Sequence, residues 1–200
     1  MSDLQIFDCE QGSPEWFACR LGIPTASRFK DVLARGQGLT RKKYLYTLAG
    51  EILTGERAES YANDHMERGK EMEAEAREMY AFQTGRDPVQ VGFMRRGDVG
   101  CSPDALIGDD GLLEIKTKLP ALHLEVLERG TLPPEHVAQV QGQLLISGRA
   151  WCDFVSYWPK LPLFVCRVER DDAYIATLAA EVEAFNQELR AMVCKYQELA

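Results

Sequence analysis

Residues 101–118 read CSPDALIGDDGLLEIKTK, and this stretch most restricts how the chain can fold. Its central GDDG lies between two short apolar runs, and an Asp-Gly pair in that setting is a strong β-hairpin signal. Because side chains alternate between the two faces of a strand, Glu114 and Lys116 are predicted to share one face and Ile115 the other. The turn folds Asp104 back towards the Glu114 face, although the sequence leaves the strand register open.

Two carboxylates and an ammonium group on one sheet face suit phosphoryl chemistry at a metal ion. Carboxylate oxygens are the ligands that Mg2+ prefers, and such a metal polarises a phosphoryl oxygen and lowers the pKa of a bound water. The alternative interpretation is an exposed hairpin with a cross-strand Glu–Lys pair. The neighbouring Leu112, Leu113 and Ile115 instead predict a largely buried strand, in which charged side chains need a partner or a role.

The composition predicts one compact domain over residues 1–200, with 46% hydrophobic residues and no apolar run long enough to span a membrane. The N-terminal residues have no basic or apolar region typical of a signal peptide. The six cysteines are scattered without a CxxC pair. This pattern predicts free thiols in a reducing cytoplasm, without a zinc or iron–sulfur site.

The net charge is −8, the wrong sign for a general nucleic-acid binder, but the charge is unevenly distributed. Residues 28–43 carry +5, which leaves −13 for the rest of the chain. An acidic body with one basic strip suits a protein that grips DNA at one surface, and an ordinary solvated helix face is the alternative. The basic residues of the strip are Arg28, Lys30, Arg35, Arg41, Lys42 and Lys43.

Helix signals alternate with short strand-like segments, which predicts an α/β fold with a central mixed sheet flanked by helices. The predicted helices start after Ser13, near Thr25, at Thr40, at Met66, after Pro120, at Pro133 and after Asp171. The third of these is predicted to bury Tyr44, Leu45, Leu48, Ile52 and Leu53. The further predicted strands cover Val89–Phe93, Trp151–Trp158 and Phe164–Val168.

The segments SPDAL and GLLEIKTK resemble the PD-(D/E)xK nuclease core, in particular the phage lambda exonuclease branch with its YqaJ-type viral recombinases and alkaline exonucleases. The resemblance covers nearly the whole chain. Its other motifs are the N-terminal signature from Gln11 to Ser27, the G-x-x-x-E helix from Gly69 to Glu73, the AQVQ segment and the GR-x-WCDF-x-S-Y segment.

This resemblance implies a catalytic site. Asp104, Glu114 and the carbonyl of Ile115 would hold Mg2+, with Mn2+ able to substitute. Lys116 would position the attacking water, and Glu73 and Gln139 would support the site.

The resemblance also implies a DNA-binding set. Arg20 and Ser27 would hold the 5′-phosphate, a role that suits an arginine fork and a hydroxyl at a helix start. Met66 aligns with an apolar residue that wedges between the strands at the duplex end. Lys118 stands where the family has a proline, and it can replace an arginine contact that is lost at Leu122. The remaining predicted DNA contacts are Thr25, Arg28 and Arg35.

The implied activity is a Mg2+-dependent 5′→3′ exonuclease that degrades linear double-stranded DNA and leaves 3′ single-stranded overhangs for recombination. The implied partners are DNA ends, a homotrimeric ring of the chain and a single-strand annealing protein. Two alternatives stay open. One is another nuclease of the same core, either an endonuclease or an enzyme with a cysteine cluster, and the other is a non-catalytic protein that binds DNA ends or loads a recombinase. The scattered cysteines disfavour a nuclease with a cysteine cluster, and the complete D…ExK disfavours a protein without catalysis.

Overall fold

A computed structural model describes residues 3–34, 39–57 and 64–199, without the side chains of residues 64–68 and 70. Within these ranges the helices are α1 Pro14–Cys19, α2 Phe29–Val32, α3 Leu39–Thr54, α4 Asp64–Thr84, α5 Pro120–Arg129, α6 Pro134–Ser147 and α7 Asp172–Gln197, with a short 3-10 helix at Ala26–Arg28. The strands are β1 Leu4–Phe7, β2 Pro88–Val89, β3 Phe93–Arg96, β4 Val99–Cys101, β5 Ala105–Ile107, β6 Gly111–Thr117, β7 Trp151–Tyr157 and β8 Phe164–Glu169.

The central sheet has five strands in the order β2-β5-β6-β7-β8. Only β6 and β7 are parallel, and α5 and α6 form the crossover between them. The remaining neighbours pair antiparallel, so the sheet is mixed, as the sequence predicts. The predicted hairpin forms from β5 and β6, with Ala105 opposite Leu113 and Ile107 opposite Gly111.

Helices cover both faces of this sheet. On one face, α4 packs Met72, Ala76 and Tyr80 against apolar residues that include Leu113 and Ile115. On the other face, side chains of α5 and α6 pack against the strand residues that point to that side, namely Leu112, Cys152 and Phe154. Strand β6 is therefore buried on both sides, which explains its nearly continuous apolar sequence.

A second, three-stranded sheet has the order β1-β3-β4 and packs near α2, α3 and α7. The prediction of a single strand over Val89–Phe93 is wrong, because β2 and β3 belong to different sheets. The chain changes sheet at Gly92, where a Cβ atom would lie 2.3 Å from the carbonyl oxygen of Cys9. Only glycine allows the backbone to approach so closely.

Two further predictions differ from the structure. Helix α3 starts at Leu39, and its last apolar residues, Ile52 and Leu53, are exposed because the buried part of the helix ends at Ala49. Helix α4 starts at Asp64, one half-turn before the predicted Met66. Within the described ranges, none of the helices is both long enough and apolar enough to cross a bilayer.

Candidate active site

The hairpin register brings Asp104 next to Glu114 and Ile115. The backbone N–H of Asp104 donates to the carbonyl oxygen of Leu113 at 3.0 Å, which fixes the residue just before β5. Its carboxylate Oδ2 accepts a hydrogen bond from the backbone N–H of Ile115 at 2.5 Å. The sequence left this register open, and the structure places Asp104 beside the middle of β6.

Glu114 is the most enclosed charged group of the site, with 2% of its surface exposed. Its Oε1 lies 2.5 Å from Nζ of Lys116 and also accepts from Nε2 of Gln139 at 2.5 Å. Its Oε2 accepts from Nε2 of Gln143 at 2.5 Å. Two amides of α6 and one ammonium group therefore fix both oxygens of this carboxylate.

Gln143 was missed by the sequence interpretation, although a signal for it exists. It follows Gln139 by four residues on α6, so the two amides lie on the same helix face, one turn apart. A pair of glutamines at this spacing beside a predicted buried glutamate is the pattern that would have found it.

Burial and neighbouring charges shift the pKa values of two groups in the site. The pKa of Asp104 is well above its usual range because the carboxyl is buried and lies near the negative charges of Glu114 and Glu73. Burial alone would lower the pKa of Lys116, but the charges of Glu114 and Asp104 outweigh it and raise that pKa. One ammonium group thus faces a cluster of carboxylates.

Glu73 reaches this cluster from α4. One of its oxygens lies 3.6 Å from Nη2 of Arg77, four residues later, as in the alternative interpretation of a helix pair. Its charge nevertheless acts on both Asp104 and Lys116. The two interpretations of Glu73 are therefore compatible.

The donor set fits a hard divalent cation. In the described ranges, no group of three or more His, Cys, Asp and Glu side chains is arranged to hold a metal by itself. Mg2+ does not require such a cage, because it keeps several waters and binds through one or two carboxylates plus substrate phosphates. Asp104, Glu114 and the carbonyl of Ile115 would hold it, and its charge would relieve the repulsion between the two carboxylates.

A second group of charges, the arginine pocket, consists of Arg20, Arg28 and Arg57. Each guanidinium stacks on an aromatic ring, with distances to the ring centre of 3.7 Å for Arg20 on Trp16, 4.5 Å for Arg28 on Tyr44 and 3.6 Å for Arg57 on Phe17. The pKa of Arg20 is lowered mainly by burial and also by the charge of Arg57, although Tyr44 and Glu51 oppose the shift. Arg20 therefore lies near Arg57, and Arg20 and Arg28 both act on Tyr44.

Hydroxyl groups border this pocket. The hydroxyl of Tyr44 accepts from the backbone N–H of Thr25 at 3.0 Å, and the hydroxyl oxygens of Thr25 and Ser27 are 3.3 Å apart. Thr25 is buried and Ser27 is exposed. Arg20, Thr25, Ser27 and Arg28 therefore lie around Tyr44, and Arg57 acts on Arg20.

The arginine pocket is connected to the carboxylates by the residues just before Asp104. The indole N–H of Trp16, which carries Arg20 on its ring, donates to the hydroxyl of Ser102 at 2.8 Å. The amide of Gln11 donates to the carbonyl of Pro103 at 2.9 Å. The N-terminal segment is thus hydrogen-bonded to the SPD segment, and the ring that carries Arg20 contacts a residue two positions before Asp104.

A family model covers most of the chain. The profile of the YqaJ-like viral recombinase domain matches residues 15–150, more than half of the chain. The chain belongs to the YqaJ-like viral recombinase family. It is a nuclease with a PD-(D/E)xK fold, and dependence on a divalent metal is general to this family.

Three of the solved structures that are similar to this YqaJ-like nuclease illustrate the match. An alkaline exonuclease (LHK-Exo) from Laribacter hongkongensis is 41% identical over 94% of this chain and 100% of its own, with a TM-score of 0.85. Its complex with dAMP gives the same identity and coverage and a TM-score of 0.86. A phage-related exonuclease from Haemophilus somnus 129PT is 13% identical over 89% of this chain and 96% of its own, with a TM-score of 0.65, and shows the shared fold only. No curated protein matches the chain.

The remaining predicted DNA contacts of the YqaJ-like chain are placed differently. Nζ of Lys118 lies 3.0 Å from Oε1 of Glu135, so the lysine is held at the end of β6. Leu122, which aligns with the lost arginine, is exposed on α5. Arg35 lies outside the described residues, and Met66 lies in α4 with its side chain outside them.

The predicted basic strip is partly neutralised in the YqaJ-like fold. Arg28 forms an ion pair with Asp31, and Arg41 forms a bidentate pair with Glu188 of α7 at 2.7 and 2.8 Å. The described residues of the strip also divide between the 3-10 helix, α2 and α3. The strip therefore offers less free positive charge than its sequence indicates.

Proposed function

We propose that the chain is a Mg2+-dependent 5′→3′ exonuclease that degrades linear double-stranded DNA from its ends and leaves 3′ single-stranded overhangs. The observation that carries this proposal is the connection through Trp16 and Ser102. It fastens a pocket suited to a terminal phosphate beside a carboxylate site suited to a metal. An enzyme built this way would hold a 5′ end next to the bond that it hydrolyses.

Each group of side chains has a task in this proposal. The arginine pocket would bind the 5′-phosphate, because guanidinium groups match phosphate oxygens in geometry and charge. The hydroxyls of Thr25 and Ser27 would add hydrogen bonds to the same group. A pocket that requires a terminal phosphate would give the enzyme its direction along the strand.

At the carboxylate site, defined as Asp104, Glu114 and Lys116, a bound Mg2+ would supply Lewis-acid polarisation of the scissile phosphate and a water of lowered pKa. Asp104 and Glu114 would hold the ion, and Gln139 and Gln143 would keep Glu114 in position. Lys116, anchored on Glu114, would orient the attacking water and stabilise negative charge on the phosphorane. Glu73 would add a further acceptor beside Asp104.

A digestion time course tests this proposal. Linear duplex with 5′-phosphorylated ends is incubated with Mg2+ and with Mn2+, and with chelator as the control. We expect release of nucleotides from 5′ ends, growth of 3′ single strands and loss of activity with chelator. Cleavage of closed circular DNA would instead identify an endonuclease, and binding of ends without metal-dependent cleavage would identify a non-catalytic end-binding protein.

We further propose that residues 1–200 act as one exonuclease domain in the cytoplasm, as a homotrimeric ring that cooperates with a single-strand annealing protein in recombination. The neutralised strip supports the ring, because phosphate contacts weaken steeply with salt and a lone subunit would dissociate quickly. A closed cyclic assembly would surround the duplex with several such surfaces. Light scattering in dilute solution tests it, and a mass near the 22.5 kDa of one subunit would contradict it.

A further inference from the structure

A cluster formed by Lys118, Glu135 and His136 lies beside the carboxylate site. Lys118 directly follows β6, two residues after Lys116. Glu135 and His136 lie in the first turn of α6, one turn before Gln139, which contacts Glu114. Oε1 of Glu135 lies 3.0 Å from Nζ of Lys118 and 3.8 Å from Nε2 of His136.

His136 has a buried polar atom that is not satisfied. Its Nε2 has no hydrogen-bond partner among the described residues, since 3.8 Å to Glu135 is too long for a hydrogen bond. The ring packs against that of Phe154, with 5.1 Å between the ring centroids. An unsatisfied buried nitrogen is costly, and in the tautomer that carries its proton on Nε2 the ring would donate to a further acceptor at this position.

The surroundings of His136 favour an anion. Burial, followed by the charges of Lys118 and Lys116, lowers the pKa of His136 to about 4, with Lys30 adding to the shift and Glu135 opposing it. The positive charges of Lys118, Lys116 and Lys30 create a region of positive potential around His136. Glu135 is the acidic group among the charges that act on His136.

Glu135 fills this region only partly. Its side chain is 51% exposed, whereas those of Lys118 and His136 are each 15% exposed. One carboxylate oxygen reaches Lys118 but stops short of His136. A phosphate group is larger and offers more oxygens, so it could contact both side chains at once.

We propose that Lys118 and His136 form a phosphate subsite for the DNA strand beside the carboxylate site, and that the Glu135 carboxylate occupies this subsite until DNA displaces it. The inference rests on the proposed function, because it takes DNA as the polyanion. It assigns His136 to substrate binding and makes Glu135 an internal competitor of the substrate.

Steady-state digestion of 5′-phosphorylated linear duplex tests the competition. Glu135→Gln keeps the size of the side chain and removes its charge, so we expect KM to fall by about two- to fivefold, the range of an exposed ion pair. Glu183→Gln is the matched control, since Glu183 is 56% exposed, is paired with Arg190 and lies on α7. An equal change of KM in both variants would overturn the proposal, because it would reflect net charge alone.

Two further sets of variants test the subsite itself. The double variant with Lys118→Met and Glu135→Gln should not show the fall in KM that Glu135→Gln alone produces. His136→Leu should raise KM by about three- to tenfold, the cost of one lost hydrogen bond, and His136→Gln, which keeps a donor, should recover most of the loss. Equal KM values for His136→Leu and His136→Gln would exclude a hydrogen-bonding role for His136.

Failure of the proposed function is distinguishable from failure of this inference. If the wild-type protein leaves linear duplex intact, the exonuclease proposal fails, and the subsite is then tested with inorganic phosphate as the probe. Calorimetry should give about two- to fivefold tighter binding to Glu135→Gln than to the wild type. Equal phosphate binding by the two proteins would overturn the subsite.

Discussion

The carboxylate site and the arginine pocket hold their charged groups in different ways. The carboxylates lie on one hairpin of the central sheet, and hydrogen bonds from backbone and glutamine side chains fix their oxygens. The arginines come from the residue after α1, the 3-10 helix and the segment after α3, and they stack on aromatic rings. A guanidinium that stacks on a ring can shift along it, whereas a carboxylate with hydrogen bonds to both oxygens is held more firmly.

This difference indicates two kinds of task. Hydrolysis at a metal requires groups fixed to within a fraction of an ångström, and a rigid sheet with hydrogen-bonded side chains provides that. Capture of a terminal phosphate requires charge and hydrogen-bond donors, and tolerates adjustment. We therefore expect changes at the carboxylate site to affect kcat, and changes in the arginine pocket to affect the choice of DNA end.

The largest effect is expected from Lys116→Ala. Loss of the ammonium group removes stabilisation of the transition state, so cleavage of linear duplex should fall by a factor of about a hundred or more, with the fold intact. The rate is measured under saturating DNA, and circular dichroism checks the fold. Asp104→Ala should lower the cleavage rate by a similar factor, also with the fold intact. Asp109→Ala, an exposed carboxylate in the turn of the same hairpin, is the control and should cut at the wild-type rate.

Gln143→Leu should lower kcat by about 10- to 100-fold, the usual cost of losing a residue that orients a metal ligand. The amide fixes Oε2 of Glu114, and leucine leaves that buried oxygen without its donor. Gln141→Leu is the matched control on the same helix, since Gln141 contacts the backbone of Glu169 and Asp171 instead. It should lower Tm and leave kcat nearly unchanged. Similar kcat losses in both variants would point to general loosening of α6.

Local signals in the sequence predicted the hairpin that carries the carboxylates, whereas Arg20 and Ser27 were expected from the family resemblance. The Asp-Gly turn and the alternation along β6 predicted the hairpin, but the position of Asp104 depends on register, which is set by pairing. Arg57 was missed because its partner Phe17 is distant in sequence. Gln143 lies one helical turn after Gln139, a local signal whose meaning depends on the distant Glu114. The division of Val89–Phe93 between two sheets depends on the contact of Gly92 with the backbone of Cys9, which no local pattern shows.

Arg20→Ala should reveal which end the enzyme prefers. Loss of a charge-assisted contact should slow digestion of 5′-phosphorylated ends by about tenfold, with a much smaller effect on 5′-hydroxyl ends, which lack the terminal dianion. Both substrates are digested side by side. Arg41→Ala is the control, because Arg41 is paired with Glu188 outside the arginine pocket. Equal slowing of both ends by Arg20→Ala would indicate that Arg20 only supports the packing of Trp16.

The smallest effect concerns the stability of the metal-free protein. The folded-state pKa of Asp104 is raised, so the folded protein holds its proton more tightly than the unfolded chain. Below the unfolded pKa, about 3.9, the raised pKa imposes no penalty. As pH rises from there through the folded pKa, Asp104 must ionise beside Glu114 and Glu73, and the folded state loses stability.

Asp104→Asn removes this charge and should raise Tm at neutral pH, by about 2–4 °C for each kcal/mol of relieved repulsion. Mg2+ should raise the Tm of the wild type by binding the folded state, but should have little effect on the variant, which lacks a ligand. Scanning calorimetry with chelator and with Mg2+ measures both. Asp109→Asn should change neither value. A lower Tm of metal-free Asp104→Asn would mean that the hydrogen bond from Ile115 to the carboxylate outweighs the repulsion, and that the site is stable without its metal.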